Sequence, residues 1–178
     1  MIAVISDSHV PSRAEEIPEK FHERLEKAEL VVHCGDFDRE GYYRELRNRY
    51  PEMVAVKGNC DFFDLPVSQS FEESGIEFGV YHGSGIHPRG DHETLADVAE
   101  DKLGVDVILT GHSHRQDAAK HGGKIILNPG SCTGVGGGTA SEGPPEMMEL
   151  ELEDGELEVR KLRLREGKIE KEREEFEV

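Results

Sequence analysis

Residues 30–36 read Leu-Val-Val-His-Cys-Gly-Asp, and the change from apolar to polar within seven residues sets the pattern of the whole chain. Leu30 to His33 has the length and branching of a strand buried on both faces. Gly35-Asp36 follows at once, a turn-former and an acid where the strand must leave its sheet. The arrangement recurs on either side. Ile2-Ala3-Val4-Ile5 runs into Ser6-Asp7-Ser8-His9, and Met53-Val54-Ala55-Val56 into Gly58-Asn59-Cys60-Asp61. Ile76 to Tyr81 ends at His82-Gly83, Val105 to Thr110 at Gly111-His112-Ser113-His114, and Lys124 to Leu127 at Asn128-Pro129-Gly130-Ser131.

Helical patterns lie between these strands. Ile17, Phe21, Leu25 and Ala28 fall on one helical face, and residues 39–50 read as a helix stopped by Pro51. Leu95, Val98, Ala99 and Leu103 make another face, with Asp91 as its N-cap. Residues 134–145 are rich in Gly, Ser and Pro and read as a loop. Met148, Leu150 and Leu152 then alternate, Asp154-Gly155 marks a hairpin turn, and Leu157 and Val159 resume. Val159 to Leu162 breaks the period of two, which predicts a bulge near Arg160-Lys161. The expected organisation is one domain over residues 1–165, followed by a charged tail, 166–178, that frays. No internal repeat or linker divides it.

Composition excludes several classes. The chain has 178 residues, 35% of them hydrophobic, enough for a packed core. No apolar run approaches the ~18 residues of a membrane span. Met1 to Ser6 lacks the basic and apolar regions of a signal peptide. Three cysteines, Cys34, Cys60 and Cys132, are an odd number without C-x-x-C spacing, which suits reduced thiols in a cytoplasm. Acids outnumber bases 38 to 21, a net charge of −17. The absence of a basic cluster disfavours long nucleic acid as a partner. The acidity reads as a solvated surface, with a salt-adapted cytosol as the sharper alternative.

Chemistry concentrates at the strand ends. In an α/β sheet, ligand sites lie beyond the carboxyl ends of strands, so the clusters would converge on one rim. The donors there are Asp7, His9, Asp36, Asn59, His82, His112 and His114. Imidazole and carboxylate donors without thiolate suit Mn²⁺, Fe²⁺, Ni²⁺ or Zn²⁺ rather than Ca²⁺. Seven ligands are too many for one such ion but fit two, about 3.5–4 Å apart, if one carboxylate is shared. Singly, each residue has a plainer use: Asp36 or Asp7 as a cap, Asn59 or Asp61 in a turn, a histidine hydrogen-bonded at the surface. Jointly, all seven follow strands and none lies within a helix.

This ordered set resembles the calcineurin-like metallophosphoesterases, and the small size with Gly58-Asn59-Cys60-Asp61 resembles their compact YfcE-type phosphodiesterase branch. The resemblance runs over about residues 1–165. It implies a four-layer α/β/β/α sandwich of two mixed sheets flanked by helices. It also implies one ion held by Asp7, His9, Asp36 and His114, and another by Asp36, Asn59, His82 and His112, with Asp36 as the bridge. Mn²⁺ is the metal it suggests first. Two dications against two aspartates would make a cationic pocket in an acidic protein, suited to a small phosphoester, and would acidify water for attack on phosphorus.

Departures from the family pattern bear on the chemistry. Cys60 stands where larger relatives have a histidine able to protonate a leaving group, and a thiol suits that task poorly. Asp61 would orient a ligand or cap a turn. Ser84 replaces a second histidine of many small relatives and would bond substrate; Arg89 reads as a surface arginine or, flanking the mouth of the site, as a clamp for a phosphate. Cys34 and Cys132 read as packing residues and His33 as a neighbour of the site. His22, His87, His92 and His121 read as solvated. The expected activity is hydrolysis of a phosphodiester, with catalysis carried through the ions by Asp36, Asn59 and His82. A phosphomonoesterase or pyrophosphatase would share the metals. A protein-binding scaffold, as in the retromer branch of the fold, is the alternative from another class. Association of several copies is compatible with the sequence.

Overall fold

The computed structural model describes residues 1–138 and 140–178. In chain order the elements are β1 (Ile2–Ile5), α1 (Glu19–Leu25), β2 (Leu30–His33), α2 (Glu40–Arg49), β3 (Met53–Ala55), β4 (Ser68–Glu73) and β5 (Ile76–Tyr81). They continue with α3 (His92–Asp97), which runs into a π-helical turn at Val98–Leu103, then β6 (Val107–Leu109), β7 (Gln116–His121) and β8 (Lys124–Pro129). The chain finishes with β9 (Glu146–Glu153), β10 (Glu156–Arg165) and β11 (Lys168–Glu177). Asp91 caps α3 as the sequence predicts, its carboxylate accepting from the Thr94 amide at 3.0 Å.

Two mixed sheets result, one ordered β11-β10-β9-β1-β2-β3 and the other β4-β5-β6-β8-β7. They pack face to face, and helices cover both outer faces, which is the four-layer α/β sandwich expected. Residue parity in β1 shows how the apolar runs build it. Ile2 and Val4 point into the layer between the sheets, with Phe78, Val80, Val107 and Leu109 of the opposite sheet. Ala3 and Ile5 point the other way, onto Phe21 and Leu25 of α1 and Leu46 of α2. On the far side, Leu95, Val98 and Ala99 cover Ile108 and Ile126. Cys34 and Cys132 are buried as free thiols in these layers.

Two expectations fail here. β10 holds an unbroken antiparallel register with β9, including Arg160 opposite Glu149 and Lys161 opposite Met148, so there is no bulge. The change of parity has another cause, since both faces of this strand are covered. Leu157 and Val159 fill the inter-sheet layer, while Leu162 packs with the helix layer on the reverse face. The charged stretch expected to fray is instead β11, paired with β10 from Glu156↔Glu177 to Arg165↔Lys168. Its anchors are Ile169 and Phe176, set among charged residues that face solvent. Among the described residues no helix is long and apolar enough to cross a membrane.

β1, β2 and β3 are mutually parallel, as are β5, β6 and β8. Their carboxyl ends lie along one rim, where the two sheets meet.

Candidate metal centre

The turns after these strands are tied across the rim by backbone bonds. The Asp7 amide donates to the Gly35 carbonyl at 3.0 Å, and the Gly111 amide to that of His82 at 3.0 Å. Between the sheets, the His112 amide donates to the Asp7 carboxylate at 3.1 and 3.2 Å. To turn their side chains inward, Asp7, His9, Asp36, His112 and His114 all adopt left-handed backbone, with φ of 52°, 49°, 61°, 65° and 57°. Non-glycine residues there cost about 1–3 kcal/mol each and persist only where the surroundings fix them. Gly58 is required for space: a Cβ on it would overlap the carboxylate and amide of Asp36.

Asp7, His9, Asp36 and His114 place a donor atom each within 4.8 Å of one another. The imidazoles are oriented from behind. The Nδ1–H groups donate to Asp38 Oδ1 from His9 (2.8 Å), to the Cys34 carbonyl from His82 (2.7 Å) and to the Val135 carbonyl from His114 (2.7 Å). Each partner is an acceptor only, so Nε2 is the atom each ring turns inward, with the lone pair that a metal needs whenever the ring is neutral. Those Nε2 atoms face carboxylates. His9 and His82 lie 3.5 and 3.4 Å from the same oxygen, Asp36 Oδ2, and His114 lies 3.3 Å from Asp7 Oδ1. His9 and His114 also meet Nε2 to Nε2 at 3.4 Å. Two lone-pair nitrogens this close, with no hydrogen bond possible when both are neutral, are what a shared cation would reconcile. The donor set therefore fits a divalent metal.

Asn59 joins the cluster through Oδ1, 3.3 Å from His82 Nε2, and the His112 ring meets that of His82 edge-on at 5.2 Å. All seven expected donors are thus brought to one place, four from the loops of the first sheet and three from the second. Burial alone would raise the Asp36 carboxyl, but the His82 bond and charge and the Cys60 amide outweigh it, so Asp36 sits below the usual carboxylate range. Burial disfavours charge on His82, yet the Asp36 and Asp7 carboxylates push it up to about 9. Burial, then His82 and Arg89, push His112 down to about 4, keeping it neutral and able to donate a lone pair.

Asp61 is a scaffold residue. Its carboxylate accepts the amides of Asp36 (3.0 Å), Phe37 (2.8 Å), Asp38 (2.9 Å) and Gly58 (2.8 Å), binding the β2 and β3 turns together. Cys60 donates its amide to Asp36 Oδ1 at 2.7 Å, and burial with the nearby Asp36 pushes its thiol up to about 12. His33 is indeed beside the site. Its Nδ1 accepts the Gly35 amide at 3.2 Å, and Nε2–H bonds Ser8 Oγ at 3.1 Å. Arg89 approaches the rim, with Nη1 3.4 Å from the His112 carbonyl. Ser84 follows His82-Gly83, half-buried, and makes no side-chain hydrogen bond among the described residues. His22 is not solvated: it is buried, with Nδ1 bonded to the Tyr50 hydroxyl at 2.5 Å.

Sequence reasoning missed three contributors. Asp38 had a legible signal, a second acid two residues past Asp36. Asn128 reads only as a strand end, yet its Nδ2 donates to the Gly111 carbonyl (2.7 Å) and Ser113 Oγ (3.0 Å), fixing the loop that carries His112 and His114. Ser131 Oγ likewise holds the Asp7 carbonyl at 2.8 Å.

A two-sheet sandwich with this centre at its rim defines a metallophosphoesterase, and residues 1–155 match the family model of the calcineurin-like phosphoesterase superfamily domain. The chain belongs to that family. It is 37% identical over 133 residues to a probable metallophosphoesterase of Methanocaldococcus jannaschii, covering 75% of this chain and 68% of that one. Among solved structures, Vps29 of Entamoeba histolytica complexed with Zn²⁺ superposes with a TM-score of 0.86 at 32% identity, over 98% of both chains. A predicted phosphoesterase of Streptococcus pneumoniae superposes with a TM-score of 0.71 at 26% identity, over 97% of both.

Proposed function

We propose that the protein is a phosphodiesterase that depends on two divalent ions. The observation that carries this reading is Asp36 Oδ2, set between the Nε2 atoms of His9 and His82 at 3.5 and 3.4 Å. That oxygen is at the junction of two donor groups: Asp7, His9, Asp36 and His114 on one side, and Asp36, Asn59, His82 and His112 on the other. Mn²⁺ is the proposed metal, with Fe²⁺, Ni²⁺ and Zn²⁺ as substitutes; the Zn²⁺-bearing Vps29 structure supports the last. The ions, when bound, supply acidified water and neutralise charge on the phosphoryl oxygens.

The chain's own residues define the rest. Asn59 and His82 hold the second donor group against the first. Arg89, poised at the His112 carbonyl, takes a non-bridging phosphoryl oxygen, and the Ser84 hydroxyl donates to the substrate. Cys60, with its thiol near 12 and its amide committed to Asp36, is too weak an acid to protonate a poor leaving group. Diesters with acidic leaving groups are therefore the better substrates. The three free thiols suit a reducing compartment, and the cytoplasm is the proposed location.

The test is hydrolysis of a chromogenic phosphodiester beside its monoester, on chelator-treated protein before and after adding Mn²⁺, at low and at molar salt. Mn²⁺-restored diester turnover supports the reading, and preference for the monoester would move it to a phosphomonoesterase. The likeness to Vps29 over the whole chain favours a second reading, a protein-binding scaffold. Silence with every divalent ion at both salts would select it.

A further inference from the structure

His114 also lines a cleft of about 820 Å³, beyond the metal centre, between the turn after β6 and the loop joining β8 to β9. That volume is in the range that encloses a ligand of many atoms rather than a single phosphate. Its walls are small on one side, where Gly134, Gly136 and Gly137 leave the space open, and cationic on the other. Among the described residues, Arg89, Arg115 and Arg163 line it, against a single carboxylate, Glu146. Glu146 is already matched, accepting from Arg163 Nε at 2.7 Å.

Arg89 and Arg115 thus have no carboxylate within 4 Å among the described residues. Arg13, Arg39 and Arg47 share that lack among the described residues, but none of them lines this cleft. Arg24, Arg49, Arg160 and Arg173 each meet at least one acid. Both residues line the cleft at the histidine loop. Arg115 follows His114 directly, its amide bonded to Ser113 Oγ at 3.3 Å, and Arg89 bonds the His112 carbonyl. Guanidinium groups without a carboxylate partner, on residues that line one cleft, are suited to fork-like bonding of phosphate oxygens.

We propose that this cleft is a second anion subsite, which takes a phosphate carried by the substrate beyond its scissile diester, with Arg115 as the principal donor and Arg89 shared with the reacting group. It rests on the phosphodiesterase reading for its purpose, and narrows the substrate to a diester bearing at least two phosphates. The subsite needs no ion of its own, so it can be tested without catalysis.

Inorganic pyrophosphate is titrated calorimetrically into chelator-treated protein. The wild type is expected to bind, Arg115→Ala to bind about tenfold more weakly or worse, and Arg173→Ala, which removes the same charge from β11, to bind as the wild type does. In parallel, Mn²⁺-loaded enzyme is given a dinucleotide with and without a 5′-phosphate. The phosphate should raise kcat/KM about tenfold in the wild type, and Arg115→Ala should lose that gain. Absence of pyrophosphate binding, or equal losses in Arg115→Ala and Arg173→Ala, would overturn the subsite even if turnover is restored. Arg115-dependent binding without any turnover would keep the subsite and sink the hydrolase.

Discussion

Asp36 serves two neighbours with one oxygen, Oδ2, and accepts the Cys60 amide with the other. Asp36→Ala is expected to abolish Mn²⁺-dependent turnover and to reduce bound metal for both ions, as read by elemental analysis; retention of one full equivalent would show that Asp36 is not shared. Asp38 acts one step further back, through His9 Nδ1. Asp38→Asn should keep the fold and weaken metal binding about 10–100-fold, the usual cost of loosening the group behind a ligand histidine. The difference between these two residues also marks what a sequence can reveal. Asp36 is legible because it follows Gly35 at a strand end; Asp38 shows only as a second acid two residues on, and its task depends on a left-handed turn at φ 78°. The carbonyls of Cys34 and Val135, which fix His82 and His114, carry no side-chain signal at all.

At the scale of elements, the β2 and β3 turns are joined by Asp61, which satisfies four amides. Asp61→Asn keeps the shape but loses half of the acceptors, and should cost about 2 kcal/mol in urea unfolding together with most of the metal affinity. His33, at the end of β2, gives a pH dependence. Burial holds it near 3 in the fold against 6.5 unfolded, so the unfolded chain alone takes up its proton as pH falls below 6.5. Its contribution to stability is then lost by up to about 1.4 kcal/mol per pH unit down to about pH 3. His33→Asn should flatten the fall of the urea midpoint between pH 7 and pH 4, and an unchanged slope would mean that His33 is not held neutral. The strands that position the site were legible because they are buried on both faces. β4, β7 and β11 were not, and each is the outermost strand of its sheet, where one covered face needs few apolar residues. The supposed bulge in β10 failed for the opposite reason: two covered faces blur a period of two.

For the whole molecule, β11 completes a sheet whose last two strands, β10 and β11, lie beyond the family model's match, which ends at residue 155. Deleting residues 166–178 should leave a folded protein with a melting temperature lower by several degrees and β10 bare as a pairing edge, visible as concentration-dependent association in sedimentation; an unchanged melting temperature would mean that β11 contributes nothing. The surface charge of −17 predicts a further rise in melting temperature between low and molar salt, as repulsion is screened. The centre draws its donors from both halves of the sandwich: Asp7, His9, Asp36 and Asn59 stand on one sheet, His82, His112 and His114 on the other. Their mutual distances therefore measure how the halves are aligned, much as a vernier reads a slide. Trimming a side chain deep in the seam, such as Phe78, far from any ligand, would shift that alignment by tenths of an ångström. Ion affinity would register the slip while the secondary structure still looked intact.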